Sequence, residues 1–107
     1  MDKGERIRRM IDNGSTATEI AEALGCSRGL VYFHALEPVA RNRLRTAEYH
    51  RARARGLDTG SATVRANTLV ARACASAYYA RLAEAMARAS APPAPPPAPP
   101  PATAERA

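Results

Sequence analysis

Few residues in this chain could build a reaction centre. His34 and His50 each stand without a paired Cys at zinc spacing, and Cys26 and Cys74 share no metal-type interval. No Gly-rich phosphate loop and no nucleophile motif occurs. The carboxylates fall mostly where a helix would turn them to water. This pattern predicts a protein that is not an enzyme and binds no metal or cofactor. What the chain concentrates instead is arginine. Lys and Arg together number 16 against 10 Asp and Glu, a net charge of +6, and only one of the cations is Lys. The excess is uneven. Residues 1–36 are neutral overall, whereas residues 37–58 hold Arg41, Arg43, Arg45, Arg51, Arg53 and Arg55 against Glu37, Glu48 and Asp58. A guanidinium fork matches phosphate oxygens in shape and charge, so this middle segment predicts a polyanion partner. The competing reading is compositional. A GC-rich coding sequence yields Ala and Arg whatever the function, and arginines on an Ala-rich helix are then only a solvated face.

The elements that must carry these residues are short and helical. Eight of the nine prolines lie between Pro92 and Pro101, which leaves about 90 residues for one small domain. That excludes barrels and doubly wound sheets. No apolar run is long enough to span a membrane, and MDKGERIRRM lacks the apolar core of a secretory leader, so a cytoplasmic, nucleoid-associated protein is expected. Ile7, Met10 and Ile11 make one face of a first helix that Asn13-Gly14 ends. Thr16-Ala17-Thr18-Glu19 is a capping box for a second helix bearing Ile20, Ala21 and Leu24. Gly25 closes that helix and Ser27 caps a third, bearing Leu30, Val31, Phe33 and Leu36. Pro38 suits the first turn of a fourth helix, over about 38–55. Ser61 or Thr59 should cap a fifth, over about 62–89. The predicted fold class is all-α, with no strand. It comprises a trihelical head (1–37), a basic helix plus a long Ala-rich helix (38–90), and a disordered Pro/Ala-rich tail (91–107).

Two short helices with a tight turn, TATEIAEAL-GCS-RGLVYFHAL, are the most informative feature. Ala21 is small where the second helix must cross, Gly25 permits a positive φ, and Ile20, Leu24 and Val31 fill the wedge. Such a pair leaves the second helix projecting, with its N-terminal half able to enter a major groove. Residues 5–36 resemble the homeodomain-like helix-turn-helix of resolvase/invertase DNA-binding domains. The stretch SRGLVYFHA also looks like the recognition helix of TetR-type repressors. The chain has room for neither the TetR ligand domain nor a recombinase catalytic domain, so the resemblance covers the head alone.

The resemblance supplies a docking mode, and position then suggests roles. Ser27, Arg28, Gly29, Tyr32 and Phe33 would face the bases, with Arg28 the best match to guanine O6 and N7, Tyr32 reaching a thymine methyl or a phosphate, and Phe33 either a third contact or core. Thr16 and Thr18 at a helix N-terminus would bind phosphate. So would Arg41, Arg43 and Arg45 and, by the resemblance, His34, whose other reading is a half-buried core histidine. In the last helix Val64, Thr68, Ala71, Ala75, Tyr78 and Leu82 alternate at spacings of four and three, a seam for self-association. Folding back onto the head as ordinary core is the alternative. The expectation is therefore a homodimeric or higher-order protein that binds double-stranded DNA, a small bacterial or phage regulator. A small-terminase-like DNA-recognition subunit and a protein-binding adaptor are the alternatives.

Overall fold

The computed structural model describes residues 1–91 and 95–100. Those residues form five helices and no strand, so the chain is all-α. The helix α1 (Lys3–Asp12) starts at Asp2, whose carboxylate accepts the Glu5 N–H at 2.8 Å. α2 (Ala17–Leu24) opens on the expected capping box. Thr16 Oγ1 accepts the Glu19 N–H, and Glu19 Oε1 accepts the Thr16 N–H. It ends at Gly25, whose φ of +65° is the left-handed conformation that a side chain would strain. Ser27 then caps α3 (Arg28–Ala35) through the Leu30 N–H. α4 (Pro38–Ala54) begins with proline in its first turn, where no internal amide bond is lost.

α5 (Thr59–Ser90) starts three residues before the sequence suggests. Asp58 is the cap, not Thr59 or Ser61, and its carboxylate accepts the Ser61 N–H at 2.7 Å. Those amides hold the Asp58 carboxyl below its usual pKa. A charged oxygen at a helix N-terminus is favoured over a hydroxyl by the macrodipole.

Ile7, Ile11, Ile20 and Val31 are fully buried and tie α1, α2 and α3 together. Each such side chain contributes about 1.5–3 kcal/mol. The head does not close on these residues alone. Tyr78 of α5 is buried in the same cluster, with Leu82 packed against it. Ala35 is also fully buried, and Arg81 of α5 covers its carbonyl.

The other half of α5 pairs with α4 in the most extensive helix contact of the fold. Its inward positions are Ala52, Ala62, Ala66, Val70 and Cys74, with Arg41 and Glu48 among them. Alanines let the helices approach closely but bury little area. Cross-helix polar links make up part of the difference: Arg45 Nε donates to Asn67 Oδ1 and Arg65 pairs with Glu48. One helix, α5, is thus the spine for both head and hairpin. The expected tail falls largely outside the described residues; within it, 95–100 are exposed and carry no helix or strand.

Candidate nucleic-acid interface

The leading edge of α3 is open. Ser27, Arg28 and Gly29 are exposed, and Arg28 makes no hydrogen bond or ion pair among the described residues. Gly29 presents backbone with only Ser27 Oγ near its missing Cβ, at 3.8 Å. Thr18 is exposed on the first turn of α2.

The next turn of α3 is only partly open: Phe33 keeps 40% of its surface exposed. Tyr32 is half-buried, its ring edge-on to Tyr78 with centroids 4.9 Å apart, and Tyr79 of α5 lies beyond it at 6.3 Å. Interaction with the Tyr32 side chain raises the Tyr79 phenol above its usual pKa, and the nearby Arg28 charge opposes this. Phe33 carries the Arg41 guanidinium on its face, 3.8 Å from the ring centroid. Gly29, Tyr32 and Phe33 form one wall of an apolar groove of about 450 Å³ whose opposite wall is Asn67, Val70, Ala71, Cys74 and Ala75 of α5. The outward face of α3 is therefore partly roofed by the protein's own last helix. Tyr32 is drawn inward against Tyr78 in this arrangement, whereas Phe33 stays exposed beneath the Arg41 guanidinium. Their aromatic surface finds Tyr78 and Arg41 at lower cost than water.

Several expected phosphate contacts are also used internally. Arg41 is buried, and its Nη1 donates to the Phe33 carbonyl at 2.8 Å. Burial lowers its pKa, and a guanidinium stays charged regardless. It is a strut between α4 and the end of α3, not a ligand for phosphate. Arg45 is half-buried and bonded to Asn42 and Asn67. Arg43 alone of the three is exposed without a partner among the described residues. The reason lies in helix geometry: at 100° per residue, positions 41 and 45 lie about 40° apart on one face, which is turned inward, whereas 43 points about 160° away from both, to solvent. Thr16 is spent on its capping box. The Ala17 amide, which would face an anion at the start of α2, donates to Tyr78 Oη at 2.8 Å.

His34 faces α1, not solvent. Its Nδ1 is buried without a partner, and a Cβ on Gly4 would stand 2.9 Å from it. Gly4 thus lets α1 approach the imidazole, and the core reading replaces the phosphate contact. Burial first, then the charges of Arg41 and Arg8, lower the His34 pKa below 6.5. In that case the unfolded chain binds the proton more readily than the folded one. Stability is complete above about pH 6.5 and declines as pH falls from there toward the depressed folded value. The melting temperature should fall between about pH 6.5 and 5, before ordinary carboxylates titrate. His34→Gln should flatten that part of the curve; an unchanged slope in the variant would assign it to another group.

The expected self-association seam divides. Val64 and Ala71 are exposed, Ala75 lines the groove beside α3, and Tyr78 and Leu82 belong to the head's own core. Tyr78 and Leu82 are therefore not offered to a second copy. Cys74 is buried with its thiol pKa raised by burial, which leaves it unreactive. Among the described residues, no helix is long and apolar enough to cross a membrane.

Four features of this arrangement escape a reading by spacing alone: the Tyr78 anchor on α2, the Arg81 clamp on Asp12, the Glu48 ion-pair cluster and the Arg41–Phe33 stack. Of these only Glu48 leaves a trace in the sequence, as a lone acid among six arginines. Comparison of the chain with protein-family models, with curated proteins and with solved structures gives no match.

Proposed function

We propose that the chain binds double-stranded DNA through the Ser27–Gly29 edge of its helix-turn-helix, as a small regulator. The observation that carries this reading is Arg28. It sits at the first position of α3, exposed and unpartnered among the described residues, at the tip of a turn fixed by the left-handed Gly25. A guanidinium so placed matches the major-groove edge of guanine, and α3 offers the free amides of its N-terminus beside it. Thr18 supplies a hydroxyl toward the flanking phosphate. With α5 seated, contact is confined to this edge. Bringing Tyr32 to the bases requires the part of α5 that carries Tyr78 and Tyr79 to lift.

Arg28→Ala should leave the fold unchanged and relax sequence choice. A bidentate Arg–guanine pair contributes about 1–3 kcal/mol of discrimination, roughly 5- to 150-fold. Selection from random duplexes by wild type, followed by anisotropy titrations of selected and scrambled sites, measures it. Equal preference in wild type and variant would remove Arg28 from the reading. Absence of duplex binding at low salt would end the proposal and favour a protein-binding head.

A further inference from the structure

On the flank of α5 opposite Tyr78, the hairpin holds a cleft of about 460 Å³ lined chiefly by Glu48, Arg51, Arg55, Arg65, Thr68 and Arg72. Four guanidiniums surround one carboxylate. Glu48 is buried, and its two oxygens hold Arg51 of α4 and Arg65 of α5, the latter at 3.4 Å. That pairing fixes two forks across the cleft while leaving most of their N–H donors free. The side chains of Arg55 and Arg72 make no hydrogen bond or ion pair among the described residues. Four cations held this close to one anion repel one another, and an incoming anion relieves that repulsion.

We propose that this cleft is an anion site for a run of phosphate groups, occupied by the phosphodiester backbone of the DNA that the head contacts. The identity of the occupant rests on the DNA-binding reading above; the preference for phosphate does not. Its geometry suits a chain of phosphates better than a single ion. Arg65 and Arg72 are seven residues apart on one face of α5, about 10 Å along the axis, or roughly the rise of three nucleotides. Seven residues further on, the same face carries the exposed Tyr79, beside Arg28. The basic surface therefore lies in the cleft, and the same face of α5 leads on through Tyr79 toward the leading edge of α3. That surface is built from Arg51, Arg55, Arg65 and Arg72, not from the Arg41–Arg45 segment that spacing suggests.

The test uses the full chain and the double variant Arg55→Ala/Arg72→Ala, which breaks no internal bond. Labelled duplex is titrated by anisotropy over a range of salt, and sodium tripolyphosphate is added separately while the melting temperature is followed. Two lost phosphate contacts should lower the magnitude of the log K against log salt slope by about 2. Tripolyphosphate should raise the melting temperature of the wild type and not that of the variant. Duplex binding with an unchanged slope in the variant would overturn the cleft as backbone site and leave the Arg28 reading standing. A tripolyphosphate response that depends on the cleft, without any duplex binding, would keep the anion site and sink the DNA reading. No response to either polyanion would remove both.

Discussion

Tyr78→Ala should be among the most destabilising single substitutions in this chain, at about 3–5 kcal/mol, the range for deleting a buried aromatic ring. The ring fills the junction of three helices. It is buried, packs edge-on against Tyr32 and belongs to the cluster of Ile7, Ile11, Ile20 and Val31. A domain of this size has on the order of 5–13 kcal/mol in total, so the loss is a large share. Tyr78→Phe separates packing from hydrogen bonding. It keeps the ring and strands the Ala17 amide, which is buried and has Tyr78 Oη as its partner. A stranded buried donor costs about 1–3 kcal/mol. Denaturant titration of both variants is the measurement. A Phe variant as stable as wild type would mean that the Ala17 amide finds water. An Ala variant losing under about 1 kcal/mol would mean that α5 is not part of the head's core.

That prediction marks where sequence reading stops. The five helices, the capping box, the Gly25 turn and the buried faces of α1 to α3 were legible because each is written in local spacing. Ile7 and Ile11, or Thr16 and Glu19, are neighbours on the same turn. Tyr78 and Ala17 are 61 positions apart. A seam of Ala with one Tyr and one Leu fits a partner helix and the chain's own head equally well, and nothing local decides between them. Arginine roles fail for a related reason. Composition counts charges, whereas Phe33 and its carbonyl, Asn67 and Glu48 decide which guanidiniums are used up. Arg28, Arg43, Arg55 and Arg72 differ from Arg41 and Arg45 only in what packs beside them.

Arg81→Ala tests the consequence of that packing for binding. Arg81 Nε donates to the Ala35 carbonyl at 2.8 Å, and its Nη1 reaches both Asp12 carboxylate oxygens at 3.1 and 2.9 Å. The Asp12 charge lies in the last turn of α1, where the macrodipole disfavours an anion, and Arg81 offsets it. Both side chains are partly exposed, at 27% and 41%, so solvent screens the pair. The substitution should therefore cost about 2 kcal/mol, less than the sum of its bonds taken as buried. That cost falls on the contact between α5 and the head, because among the described residues Arg81 bonds only to α1, α3 and, at 3.9 Å, Glu37 before α4. Loosening α5 by this amount raises the fraction with an uncovered α3 by up to about 30-fold. If reading requires Tyr32 at the bases, the variant should bind a selected duplex more tightly than wild type. The titration is made at low temperature, where circular dichroism shows the helices intact. Weaker or equal binding by a folded variant would show that the covered state is the binding state. Recognition would then rest on Ser27, Arg28 and Gly29 alone.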